Sequence, residues 1–261
     1  MDPSDPHLSL RLAVTDADRR GAERLRYRVF VEELGGDGAL VDHAARLERD
    51  RFDPFFDHLI LVDDRRDAAT CDHVVGVYRL MTDAGAARAG QFYSEDEYDL
   101  APLRASGRRL LELGRSCVHP DHRGGAALFL LWSGLADYVI EREIEILFGV
   151  ASFHGTDPAA LAMPLSYLHH HHLAPPELRV RSRVFQPMDL LPAQDIDRLA
   201  ALQAIPPLIK AYLRLGGVVG EGAFIDRPFN TTDVCLIMDT AHMNARAREI
   251  YARGARSRPR A

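Results

Sequence analysis

The chain has 261 residues, of which 47% are hydrophobic and 27% charged, with a formal net charge of −6. That is enough apolar mass for a sizeable core, in one large domain or one domain with an elaboration. The acidic balance counts against nucleic acid as a partner, and no apolar run approaches the length needed to span a membrane.

Taken in chain order, residues 8–14 (LSLRLAV) alternate like a strand. Asp16 is placed to cap a helix running to about Leu34, ended by GGDG. A loop rich in Asp and Arg runs to Asp57. HLILVDD and HVVGVYRLM read as two strands joined by the polar turn 65–72. YSEDEYDLAPLRAS reads as a short helix or loop. A buried strand follows at 108–118, then a Gly-rich turn and a helix over 125–142 with Leu128, Leu131, Trp132, Leu135 and Val139 on one stripe. EILFGVASF is a further buried strand. DPAALAMPLSYLHHHH reads as a helix capped by Asp157 and stopped by Pro175 and Pro176. Helical signals recur near 192–203 and 206–215, VVGEGAFI and VCLIMD read as strands, and a last helix is expected from about 241 to 252 before a basic tail. The alternation of strands and helices, with a hairpin at 57–83, predicts a mixed α/β sheet.

Three cysteines, Cys71, Cys117 and Cys235, lack CxxC spacing, so neither a disulfide frame nor a zinc site is expected. A reducing cytoplasm fits them, and the acidic, Pro-containing start MDPSDPHLSL is unlike a signal peptide. Positive charge is almost all arginine, Lys210 being the lone lysine. His169 to His172 cannot converge on one ion from consecutive positions, and no metal is expected there.

The stretch that carries chemistry is LLELGRSCVHPDHRGG, Leu110 to Gly125. A glutamate and an arginine interrupt an apolar strand, and charge in a core strand is costly unless it is paired or functional. Residues three apart on a flat strand face opposite sides. If Glu112 and Arg115 serve one site, the strand should bulge near Gly114. The strand leads into a helix through a Gly-rich turn, a place where backbone N–H groups bind anions.

That turn, HRGGAAL, resembles the pyrophosphate loop of the GNAT superfamily of N-acyltransferases, Q/R-x-x-G-x-G/A. Read from Arg123, Ala126 stands where the first glycine is required and Leu128 stands at the last position. LRYRVFVEELGG, LERDRFD, VVGVYRL and LELGRS, in that order, resemble the pattern of acyl-homoserine lactone synthases, GNAT-fold enzymes that take acyl groups from acyl carrier protein. The pattern lands on Arg26 and Phe30, Asp50 and Asp53, Arg79, and Glu112 and Arg115. The tryptophan those synthases carry after the first helix is Gly36 here, and the chain continues through a C-terminal region they lack. Ornithine Nα-acyltransferases keep the same charged set and fit these departures. FDPFFDHLIL, LGRSCVHPDHRGGA, LLWSGLADYV, LSYLHHHHLAPPELR, PPLIKAYLRLGG and GEGAFIDRPFNTTDV are similar to that family over nearly the whole chain.

The resemblance implies a GNAT-like α/β fold over 8–240, a mixed central sheet flanked by helices, with a C-terminal elaboration from about 175 and a terminal helix and basic tail at 241–261. It implies transfer of a 3-hydroxyacyl group from acyl carrier protein to the α-amine of L-ornithine. No cofactor is implied, since phosphopantetheine arrives with the carrier. Glu112 would hold the acceptor ammonium and take its proton, and Arg115 would organise the anionic side of the site. Backbone N–H groups after Arg115 would receive the oxyanion. Arg26, Arg79 and Arg115 suit the acceptor's carboxylate or the carrier's phosphate; the alternative is pairing with the loop acids. Asp50, Asp53 and Asp57 suit ornithine's side-chain ammonium, and Phe30, Cys117 and Val118 fall on the substrate side. Cys117 as a nucleophile is set against the ordinary role of a small buried residue. Arg123, Gly124 and Gly125 would meet the phosphopantetheine. The expected location is cytoplasmic, with weak contact between the basic tail and the inner membrane surface. The rivals are homoserine lactone synthesis, acylation of glycine or another amino acid, and a non-catalytic acyl-carrier-binding module.

Overall fold

In a computed structural model, which describes residues 5–242, β1 spans Leu8–Leu12 and α1 spans Asp16–Arg26. The cap of α1 is Thr15, not Asp16: its hydroxyl accepts the Asp18 amide while the Asp18 carboxylate accepts the Thr15 amide. The expected single helix to Leu34 changes pitch, because Tyr27–Glu33 is π-helical, a rare form concentrated at functional sites. β2 (Asp57–Asp63) and β3 (Val74–Thr82) form the expected hairpin. α2 (Asp83–Ala89) was not foreseen, its DAGAARA having no apolar period. YSEDEYDLAPLRAS divides into a 3₁₀ turn at Tyr93–Asp96, a two-residue β4 (Tyr98–Asp99) and α3 (Ala101–Ala105). β5 (Leu110–Val118), α4 (Gly125–Glu141) and β6 (Ile146–His154) stand close to where they were expected.

The C-terminal half departs further. α5 (Ala162–His172) starts well after Asp157, whose carboxylate instead takes the Ala159 amide of a local turn. Pro164 lacks an N–H and belongs in a first turn, which draws the helix start to just before it. β7 (Arg181–Ser182) pairs with β4. α6 (Arg198–Ala204) is capped by Asp197, and α7 (Pro207–Arg214) follows. VVGEGAFI is broken into β8 (Val218–Val219) and β9 (Phe224–Asp226), since Gly222 takes a φ of 77°, unsuited to a continuous strand. β10 covers Thr231–Asp239. The terminal helix and basic tail expected at 241–261 lie, from residue 243 on, outside the described residues.

The chain forms two compact units, with β5 beginning in one and ending in the other. The first contains β1, β2 and β3, ordered so, with β3 beside β5. The strands sort two layers, and a register shift in β3 opposite Leu61 and Val62 lets Val74 and Val77, three apart, share one of them. Ile60, Val62, Val74 and Val77 pack with Ala22, Leu25 and Val29 of the α1 segment and with Cys117, while Leu61 and Val75 pack with Ala127 and Leu131 of α4. A side chain on Gly134 would lie 2.2 Å from a terminal methyl of Leu10, which would have to move to make room. In the second unit the start of β5 runs parallel to β6, and β6 is antiparallel to β10, which also pairs with β8 and β9. Tyr98, fully buried, donates its hydroxyl to the carbonyls of Gly222 and Asp233. Among the described residues no helix is long and apolar enough to cross a membrane.

Candidate active site

The charged residues of the first unit close into a ring. α1 turns Arg26 inward at its last turn, where the side chain is fully buried. The LERDRFD loop comes to it, tied by the Glu48 amide to the Glu23 carbonyl at 3.1 Å. Arg26 donates to Glu48 through Nε, and to Asp53 through Nη1 at 2.5 Å and Nη2 at 3.1 Å. Arg79, fully buried on β3, donates through Nη1 to Asp50 at 2.7 Å and Asp53 at 3.0 Å and lies 4.3 Å from the Phe56 ring centroid. Arg115 donates through Nε to Glu48 at 3.2 Å, and its Nη2 is 3.5 Å from Asp50. Each arginine meets two carboxylates and each carboxylate two arginines, in the order Arg26, Glu48, Arg115, Asp50, Arg79, Asp53.

Three positive and three negative groups balance, as burial requires. Burial alone would push the Glu48 carboxyl up, but Arg26 and Arg115 outweigh it and hold it at about 2. Asp53 is part-buried, and Arg26 and Arg79 hold it well below the usual carboxylate range. Arg26 and Arg79 are thus paired with the loop acids, which ties the loop to α1 and β3. Glu48 was not singled out from the sequence. Asp57 does not join Asp50 and Asp53: it starts β2 and accepts the Tyr138 hydroxyl at 2.7 Å. Phe30, in the π-helical turn, packs against the α1 core, with the Arg115 guanidinium 5.9 Å from its ring centroid.

β5 carries the other candidates. Beside Gly114, where a bulge was expected, Arg115 takes a φ of 49°, in the left-handed region. For a residue with a side chain this costs on the order of 1–3 kcal/mol, sustained only where surrounding contacts enforce it. Glu112, buried, accepts the amides of Tyr93 at 2.7 Å and Ser94 at 2.6 Å, and the Ser94 hydroxyl at 2.5 Å. It thus anchors the N-terminus of the Tyr93–Asp96 turn, a role carried by backbone donors that no sequence motif marks. Cys117 belongs to the apolar α1 layer, and burial pushes its thiol far above the ordinary range, so it stays protonated at neutral pH. Val118 packs on the α4 layer.

At the Gly-rich turn, Gly124 has φ 137° and ψ 162°, a conformation for which glycine is suited, and α4 starts at Gly125 without a side-chain cap. Arg123 forms a fork with Glu33 at 2.5 and 2.6 Å and donates through Nε to the Val118 carbonyl at 3.3 Å. The histidine run serves other ends: His170 meets the Leu191 carbonyl, and His171 and His172 lie against Tyr167. Glu97, Asp226 and Asp233 bring carboxylate oxygens within 4.8 Å of one another, the one such acidic trio among the described residues.

Two buried histidines set an acid limit on stability. Burial lowers His58 from 6.5 to about 4 against the pull of Asp53. Burial, then Arg66 and Arg28, lower His119 from 6.5 to about 4. The unfolded chain therefore takes up protons before the folded one as pH falls from about 6.5, so stability present above that value drains away toward about 4. Glu48, lowered from 4.5 to about 2, continues the loss below that window. Calorimetry from pH 7.5 to 4.5 is expected to show a steadily falling Tm, with a shallower slope in a His58→Asn, His119→Asn variant. An unchanged slope in the variant would rule these histidines out as the cause.

An acetyltransferase (GNAT) domain model matches residues 25–133. Among solved structures, the acyl-homoserine lactone synthase BjaI aligns with TM-score 0.52 at 16% identity, over 98% of this chain and 95% of its own. FeeM, an N-acyl amino acid synthase from uncultured soil microbes, aligns with TM-score 0.51 at 13% identity, over 90% and 91%. At such identities these show the fold, the mixed α/β GNAT architecture. Sequence relatives go further. The chain is 65% identical to the L-ornithine N(alpha)-acyltransferase of Rhodobacter capsulatus over 94% of each protein. It is 43% identical to that of Brucella abortus, over 94% of this chain and 88% of the relative. With full-length similarity at this level, on a GNAT fold carrying the expected charged set, the chain belongs to the L-ornithine N(alpha)-acyltransferase family.

Proposed function

We propose that the protein transfers a 3-hydroxyacyl group from acyl carrier protein to the α-amine of L-ornithine, giving lyso-ornithine lipid, the first step in making ornithine lipid. The observation that carries this reading is the 65% identity with the Rhodobacter capsulatus L-ornithine N(alpha)-acyltransferase across 94% of both chains. The acceptor ammonium first loses a proton. Its nitrogen then attacks the thioester carbonyl, the C–N bond forms, the C–S bond breaks, and the carrier leaves as a free thiol. Attack is direct, in keeping with a Cys117 thiol that burial keeps protonated. Glu112 takes the amine's proton, and Arg115 receives the acceptor's carboxylate. Arg26, Arg79, Asp50 and Asp53 serve as the frame that holds Arg115.

The donor's phosphopantetheine is assigned to the turn Arg123–Gly125, where α4 offers uncapped N–H groups. The Arg123–Glu33 pair is half-exposed, and such pairs are weak enough to exchange for a phosphate. Ala126 and Leu128 depart from the glycines of a full pyrophosphate loop, which favours the carrier over a nucleotide-bearing thioester. The amphiphilic product points to work at the membrane surface, and Leu128 and Phe129 at the start of α4 are apolar and exposed.

Purified protein is to be given 3-hydroxyacyl-acyl carrier protein and L-ornithine, and products followed by mass spectrometry. N-(3-hydroxyacyl)ornithine is expected, with kcat/KM higher for the carrier than for the matched acyl-CoA. A homoserine lactone from S-adenosylmethionine, or faster acylation of glycine, would replace this reading. Equal kcat/KM for both donors would remove the preference for the carrier.

A further inference from the structure

Of the three arginines in the ring, Arg26 and Arg79 have side chains wholly shut off from solvent, whereas the Arg115 side chain keeps 13% of its surface exposed. The ring thus opens along one edge, formed by Arg115 and Asp50, whose side chain is 20% exposed. Arg115 also stands on a backbone that is strained without support. Glu48 is one of the groups that hold the Arg115 side chain. Its carboxylate faces Arg115 with Oε1 and Arg26 with Oε2, and its amide is fixed to the α1 backbone at Glu23. The side chain itself is buried.

We propose that Glu48 is a positioning residue for acyl transfer: by bridging the buried Arg26 and the ring-edge Arg115, it orients the Arg115 guanidinium for the carboxylate of the amino-acid acceptor. This rests on the functional reading above and names a residue that reading does not use. The chemistry is specific to a carboxylate that can reach two guanidiniums at once. A fork of parallel N–H bonds binds a carboxylate well only when its plane is set in advance, and an arginine side chain has many rotamers to lose. Glu48 fixes the Nε side of that plane. Arg26 meanwhile offsets the charge of Glu48, so that Arg115 keeps an effective positive charge for its ligand. A glutamine at this position can accept from one arginine only, and its amide nitrogen would meet the other.

The test is a double-mutant cycle on the full chain with Glu48→Gln, Arg115→Met and both together, measuring kcat and KM for L-ornithine at saturating acyl carrier protein, with Tm recorded for all four proteins. Glu48→Gln is expected to raise KM for ornithine by about tenfold with a smaller change in kcat, as removal of acceptor binding requires. On the Arg115→Met background it should add less than about twofold, because its effect passes through Arg115. Equal effects on both backgrounds would show Glu48 to be merely structural, as would a lowered Tm with unchanged KM. Should Glu48→Gln fail to fold, Glu48→Asp keeps the ring neutral but is one methylene too short to span both arginines. It should fold and still raise KM, and a wild-type KM would overturn the proposal. A wild type that makes no N-acylornithine would instead overturn the functional reading.

Discussion

Replacing Asp53 by asparagine is expected to lower the stability of the protein by about 3–5 kcal/mol, the usual cost of breaking a buried ion pair from one side. For a chain of this size that corresponds to a Tm lower by roughly 6–20 °C. Asp53 is the carboxylate shared by the two fully buried arginines, Arg26 and Arg79. Its second oxygen also takes the Asp50 amide at 2.7 Å, which shapes the loop that presents Asp50. An asparagine keeps one acceptor but turns an NH₂ toward a guanidinium, and three arginines are left with two carboxylates. The control is Asp57→Asn, four residues on, which disturbs one hydrogen bond from Tyr138 to an exposed acid and should cost no more than about 1 kcal/mol. Chemical denaturation of both variants decides the matter. An Asp53→Asn protein as stable as Asp57→Asn would mean that the ring tolerates an unbalanced charge.

The contrast between Asp53 and Asp57 also shows what could be read from the sequence and what could not. Resemblance to the acyl-homoserine lactone synthase pattern located five of the six ring members, Arg26, Asp50, Asp53, Arg79 and Arg115, although Asp50 and Asp53 lie in a loop of mixed charge where nothing local marks them. Glu48 was not carried over, although it stands second in LERDRFD where the pattern has a glutamate, since nothing local separates a bridging carboxylate from a solvated one. Asp57 was grouped with its neighbours by proximity, but as the first residue of β2 it takes the register of the strand and turns to Tyr138 on α4. The β2–β3 hairpin and α4 were legible from apolar periodicity and turn residues. The short pieces were not: β8 and β9 were read as one strand, and the start of α5 was set by Pro164 rather than by an Asp cap. The left-handed backbone of Arg115 had no signature, because the residue there is not the glycine that would mark a positive φ. The donors around Glu112 are mainly backbone amides, which every residue but proline carries.

The partners of Glu112 set the terms of the test on which the mechanism depends. On the proposed role of Glu112 as base, Glu112→Gln is expected to lower kcat at neutral pH by about 10²- to 10⁴-fold. Part of the loss should return as pH rises and the amine of ornithine deprotonates unaided. The variant will also be less stable. Glu112 uses one oxygen for the Tyr93 amide and the other for the Ser94 amide and hydroxyl, so a glutamine must set its NH₂ against one of these donors. Losing charge-assisted bonds in a buried place costs about 1.5–3 kcal/mol. Ser94→Ala separates the two effects. It removes one donor and leaves the carboxylate and its charge, so it should lose about 1 kcal/mol of stability yet retain most activity. Profiles of kcat/KM against pH for wild type, Glu112→Gln and Ser94→Ala, each below its own Tm, then distinguish base from anchor. If Glu112→Gln works normally while folded, or loses activity without recovery at high pH, Glu112 is the anchor of the Tyr93–Asp96 turn and another group accepts the proton.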